Sequence, residues 1–243
     1  MPDFAGQPAV ESAPLVVLQV WTVALSSVPH AIARMALDRR PLRRTPGLSF
    51  SKLLGTGDGQ SFTVRDADVR RWGLLSVWAS DAAYDDFRRF SAVPRRWTRI
   101  AVEEWAVSLR PLSSRGEWSG RAPFGEPIPR RYDGPVAAIT RARIRPTKAM
   151  TFWKSVPAVS ADLRTGAGLR WALGIGEAPI GLQGTFSLWD DAAALRDFAY
   201  GRAAHTTAIT RTAEVGWYAE ELFARFAVEA SCGTVDGRDP ARV

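Results

Sequence analysis

Cysteine, histidine and lysine are all scarce in this 243-residue chain. The one cysteine, Cys232, cannot form an internal disulfide, so the sequence predicts a reducing, cytoplasmic setting. Lysine occurs only at 52, 148 and 154, so a net charge of +7 rests almost wholly on arginine. The basic pairs, among them Arg39–Arg40, Arg70–Arg71 and Arg95–Arg96, are scattered, with no zinc-finger, helix-turn-helix or RRM signature beside them. No nucleic-acid partner is expected. Long apolar runs are missing too. The longest, Leu15 to Leu25, is broken by Gln19 and Thr22 and is too short to span a bilayer. The opening residues lack the basic segment and apolar core of a secretory signal. With only His30 and His205, nothing resembles a zinc site. The glycine-rich GTGDGQ (Gly55 to Gln60) lacks the Lys-Ser/Thr pair and following helix of a phosphate loop, and no nucleophile elbow appears among the serines.

What the chain does contain is an internal repeat. GLSFSKLLGTG (Gly47 to Gly57) matches GLRWALGIG (Gly168 to Gly176), and GLLSVWASDAAYDDF (Gly73 to Phe87) matches GTFSLWDDAAALRDF (Gly184 to Phe198). Gly116 and Gly120 correspond to Gly233 and Gly237. Each copy reads as β-α-β-β-α-β with an extra helix. Opening strands are expected at Leu15 to Trp21 and Val136 to Ile144, and helices at Val28 to Arg40 and Lys148 to Leu163. Two central strands follow, the second ending in Trp78 or Trp189, with Asp81 and Asp190 at the N-termini of the next helices. Further helices are expected at Arg95 to Trp105 and Arg202 to Phe223, then closing strands at Ala106 to Leu112 and Ala227 to Ser231. The predicted fold is α+β: tandem ferredoxin-like repeats, 15–120 and 136–240, joined by a Gly/Pro-rich linker at 121–135 and closed into one barrel that counts as one structural domain.

The set GLSFSKLLGTG, SVWASDAAYDDF, SLRPLSSRGEWSG, ALGIGEAP, TFSLWDDAAALRDFAY, GWYAEELFARF and DGRDP, spread from about Val16 to Pro240, resembles the spheroidene monooxygenase (acyclic carotenoid 2-ketolase) family. The resemblance implies a haem-dependent oxygenase acting at the end of an apolar polyene, in a dimeric-α+β-barrel-like fold. It also implies a hydrophobic small-molecule substrate and, since no flavin or iron–sulfur motif is visible, an external electron donor or reductase. Peripheral membrane contact and homo-oligomerisation stay open.

A haem needs an axial ligand. On a helix through residue 205, His205, Ile209, Thr212 and Gly216 share one face, an imidazole followed by small or flat side chains that leave room for a macrocycle. The matching stretch of the first copy, near Ser91 to Pro94, has no histidine; with the resemblance, His205 is the expected iron ligand ahead of His30 and a Cys232 thiolate, and Gly216 a neighbour of the haem. Lys52, Arg141 and Arg143 stand on or beside strands and are candidates to pair with the propionates. Apolar residues on the inner face of the barrel are expected to hold the substrate. Other readings of the same residues are a haem enzyme with dehydration, nitrogen or peroxidation chemistry on a smaller molecule, a non-catalytic haem carrier, and a cofactor-free barrel monooxygenase.

Overall fold

A computed structural model describes residues 13–57, 67–127, 130–145, 166–177, 184–201 and 218–242. Strand β1 (Leu15–Val23) shows why the chain builds layers: it is buried on both faces. Val16, Leu18 and Val20 point one way into a barrel, and Leu15, Val17 and Trp21 point the other way under helices. The chain continues through α1 (Val28–Leu37), α2 (Arg39–Arg43), β2 (Leu48–Gly57), β3 (Ala67–Trp78), α3 (Asp81–Phe90), α4 (Ala92–Thr98) and β4 (Ala101–Gly116). It then runs through β5 (Val136–Ile144), β6 (Leu169–Gly176), β7 (Gly184–Trp189), α5 (Ala192–Gly201) and β8 (Tyr218–Gly233). The eight strands close into an antiparallel barrel in the order β1-β3-β2-β6-β7-β5-β8-β4. Within that order, 4-1-3-2 and 8-5-7-6 are the same path traced by strands four apart in number.

Contacts recur at matched positions. Trp78 Nε1 donates to Ser76 Oγ at 2.9 Å, and Trp189 Nε1 to Ser187 Oγ at 2.9 Å. Glu117 N donates to Glu221 O at 2.7 Å, and Thr234 N to Glu104 O at 2.9 Å. Both pairs follow a glycine at positive φ, Gly116 (+90°) and Gly233 (+78°), where an added Cβ would lie 2.1 Å from a carbonyl oxygen. Only glycine fits there. Each long strand thus turns sharply inward. Trp118 and Phe124 plug one end of the barrel, Val235 and Ala241 the other, all of them buried in the interior cluster.

The interior is filled by side chains. Trp105 meets Trp171 at 5.2 Å, Trp171 meets Phe186 at 6.3 Å, Phe50 meets Trp118 at 5.8 Å and Phe124 meets Phe226 at 4.9 Å. Eight strands leave room for little else. The expected substrate site on the inner face is therefore corrected: aromatic packing occupies that space.

Several boundaries also differ from the sequence reading. The helix expected through Trp105 ends at Thr98, and Trp105 sits on β4, whose inward row Trp105, Val107, Leu109 packs in the barrel. Residues 218–223, expected to end a helix, open β8 instead. Cys232 lies on β8, past the Ala227 to Ser231 expected for the closing strand. The α3 cap is Ser80, which accepts from Ala83 N at 3.2 Å, while Asp81 stands in the first turn. On α5 the capping carboxylate is Asp191, accepting from Ala193 N and Ala194 N at 2.8 Å each, and Asp190 instead accepts from Arg170 at 2.7 Å. The helix expected at 148–163 lies outside the described residues.

Candidate functional site

The two halves treat the outer face of the sheet differently. In the first half that face carries Val17, Trp21, Leu53, Trp72, Leu74 and Trp78, all buried against α1, α3 and α4. Trp97 of α4 stacks on Trp21 at 5.0 Å and lies 6.5 Å from Trp72. At the positions matched by the repeat, the second half has Ala138 for Val17, Ala142 for Trp21, Gly174 for Leu53 and Thr185 for Leu74. Thr140 and Ala172 complete a face of small side chains across β5, β6 and β7, flat where the first half is ridged. One end is walled by Trp189, Leu195 and Phe198, with Trp189 and Phe198 rings 5.1 Å apart. Side chains this small leave the strand surface level, where the first half's indoles and leucines stand out from it.

The basic residues singled out by sequence gather elsewhere, at the barrel end plugged by Trp118. Closure of the barrel brings β2 beside β6, so Lys52 Nζ meets Glu177 Oε2 at 2.5 Å and Ser119 Oγ at 2.6 Å. Arg141, 3% exposed, donates to Glu177 Oε1 at 3.0 Å and also pairs with Glu220. Trp118 Nε1 donates to Glu177 Oε1 at 2.6 Å, and the Arg141 guanidinium lies 5.3 Å from the Trp118 ring. Two cations face two carboxylates, so the buried charges are compensated. Burial pushes the pKa of Glu177 up, but hydrogen bonds from Lys52 and Trp118 and the charges of Lys52 and Arg141 outweigh it and hold the carboxyl below the ordinary glutamate value. Glu220 is likewise held low against burial, by backbone N–H groups of Gly120 and Ser119 and by Arg141. Arg143 is exposed at the mouth of a cleft of about 870 Å³ beside this cluster, which Arg141, Glu177 and Glu220 also line.

The structure thus brings Lys52 and Arg141 together and leaves Arg143 at the rim. His30 is exposed on α1. His205 and Gly216 lie outside the described residues. Glu177, Glu220 and Trp118, which tie the cluster, were not singled out by sequence. The signal for the small-residue shelf was available in the repeat, as the Trp21/Ala142 and Leu53/Gly174 mismatches. Among the described residues no group of three or more His, Cys, Asp or Glu is placed to hold a metal.

No protein-family model matches the chain. It is 40% identical over 220 residues to a spheroidene monooxygenase from Rhodobacter capsulatus, spanning 88% of this chain and 90% of that protein. It is 38% identical over 226 residues to a spheroidene monooxygenase from Rubrivivax gelatinosus, spanning 92% and 86%. In fold, it resembles the crystal structure of an aldoxime dehydratase, with a TM-score of 0.59 at 11% identity over 92% of this chain and 84% of that one.

Proposed function

The chain belongs to the spheroidene monooxygenase family, and we propose that it inserts oxygen into an apolar acyclic carotenoid with a haem seated against the outer face of its C-terminal half. The observation that carries this seat is the shelf of Ala138, Thr140, Ala142, Ala172, Gly174 and Thr185, built where the first half packs Trp and Leu side chains. A bound haem would supply the activation of dioxygen. His205 is the residue proposed to hold the iron, with Gly216 proposed to lie beside the macrocycle. Arg143 stands exposed at the end of β5 and forms no ion pair among the described residues, so it is the base proposed to meet a propionate. Lys52 and Arg141 stand at the same end of the strands, but Glu177 and Glu220 neutralise them, so the propionate role is proposed for Arg143 alone. Trp189, Leu195 and Phe198 exclude water from the closed end of the shelf, where an extended polyene finds apolar surface.

The strand order and the matched contacts support a reading of residues 15–120 and 136–240 as tandem ferredoxin-like units, joined through 121–135 into one structural domain. Electrons come from a separate reductase. The substrate's home is a bilayer, and α1 suits it: Ile32 and Leu37 are 52% and 57% exposed, with Arg39, Arg40, Arg43 and Arg44 following. Co-sedimentation with anionic vesicles that falls for Ile32→Asp checks this contact; sedimentation unchanged by the substitution counts against it.

The test of function is turnover. Haem-loaded protein, a reductase and an acyclic carotenoid under isotopically labelled dioxygen should give a product carrying the label. A product without label, or equal turnover by haem-free protein, overturns the reading.

A further inference from the structure

The first half holds a cleft of its own, about 550 Å³, between α3–α4 and the outer face of β1, β4 and β8. Its floor is Gln19 and Ala106, and one wall is Tyr84 and Pro94. Cys232 and Gly233 form the far side, since β8 pairs with β4 through Cys232 and Ala106. Arg88, Arg95 and Arg99 line the rim. None of the three forms an ion pair among the described residues, and the one carboxylate in the lining, Glu104, accepts from Thr98 Oγ1 at 2.9 Å. Three guanidiniums therefore converge on a concave surface with little to neutralise them, where a protein in want of solubility alone would spread them out.

A second observation is independent of that charge. Gln19 is 2% exposed and lines the floor, and its Oε1 has no hydrogen-bond partner. A buried acceptor left empty is costly, and a ligand that donates to it would remove the cost. Nothing in the oxygenase reading uses this cleft. Apart from Cys232 and Gly233 of β8 it is built from the opposite half to the shelf, and the position matched to His205 is Pro94, which cannot ligate iron.

We propose that this cleft binds an amphiphilic anion, a single apolar chain bearing a phosphate or carboxylate head. The head sits among Arg88, Arg95 and Arg99, where guanidiniums give charge-assisted bonds. A hydroxyl on the head, as in a singly protonated phosphate monoester, donates to Gln19 Oε1. The chain lies over Ala106 and Pro94.

Cys232 is the chain's only cysteine, exposed in the cleft wall, and it serves as a reporter. The experiment follows its alkylation by iodoacetamide, read by mass spectrometry, with submicellar decyl phosphate, decanoate, decanol or inorganic phosphate present. Decyl phosphate should slow alkylation saturably, with decanoate acting in the same direction. Decanol and inorganic phosphate should each need at least about tenfold higher concentration, the loss expected when one charge-assisted contact or the chain's burial is missing. The double variant Arg95→Glu/Arg99→Glu should abolish protection while leaving the melting temperature unchanged. Gln19→Leu should weaken decyl phosphate about tenfold. Absence of protection, protection that survives the arginine reversals, or equal protection by decanol or inorganic phosphate would each overturn the proposal. The readout involves neither haem nor turnover, so it stands or falls apart from the oxygenase reading.

Discussion

Glu177→Gln tests the barrel-end cluster. The carboxylate accepts from Lys52 at 2.5 Å, Trp118 at 2.6 Å and Arg141 at 3.0 Å. Hydrogen bonds to charged groups contribute roughly 1.5–3 kcal/mol each, so the naive sum is well above 4 kcal/mol. Three features reduce it. The Glu177 side chain is 28% exposed and partly screened, Lys52 keeps Ser119, and Arg141 keeps Glu220. The expected loss is about 2–3 kcal/mol, or roughly 5–10 °C in melting temperature for a chain of this size. Urea denaturation at pH 7 measures it, and a cycle with Lys52→Met should show coupling of about 1 kcal/mol or more. The pH dependence carries a sign. Because the folded pKa of Glu177 lies below its ordinary value of 4.5, its contribution is fully present above that value and is lost as pH falls through the lower folded one. The gap between wild type and variant should therefore persist near pH 5 and close only in stronger acid. A loss under about 0.5 kcal/mol, or a gap that closes near neutrality, would refute the reasoning.

Gly116→Ala should cost roughly 2–5 kcal/mol, because its Cβ would meet the Glu221 carbonyl at 2.1 Å, whereas Gly120→Ala, with nothing within 4 Å, should cost only about 1 kcal/mol of left-handed strain; chemical denaturation separates them. Thr185→Leu with Ala142→Trp restores the first half's ridges on the shelf and should abolish haem uptake while the melting temperature holds within a few degrees; haem titration of the variant checks it. Asp38 is fully buried, and burial outweighs Arg34 and Arg96 in raising its pKa above 3.8, so its charge opposes folding at neutral pH and the penalty fades as pH falls through the raised value. Asp38→Asn should be neutral or stabilising at pH 7, with the difference shrinking in acid on thermal melts.

Much of the barrel is legible because its constraints are local. The Gly-Leu-aromatic segments, the Trp-ending strands and the paired glycines at 116 and 233 each answer a backbone or packing demand that recurs at a fixed offset. Strand β4 was less legible at its start. Glu103 and Glu104 interrupt the apolar alternation: the Glu103 carboxylate receives groups from the distant 234–237 turn, as in the Thr234 Oγ1 bond at 2.8 Å, and the Glu104 carboxylate accepts from Thr98 Oγ1 at 2.9 Å. The ionic cluster was illegible for the same reason on a larger scale. Glu177 directly follows β6, 125 residues from Lys52, and only closure of β2 onto β6 makes them neighbours. The packed interior follows from strand number and side-chain volume together, which periodicity alone does not supply. The shelf could have been read in advance, by asking at each matched outward position which half kept the bulk.

The most direct measurement is the absorption spectrum of haem-reconstituted protein beside His205→Ala. The account predicts a Soret band in the wild type that is lost or displaced in the variant. A colourless wild type under ample haem, or a spectrum indifferent to the substitution, contradicts it.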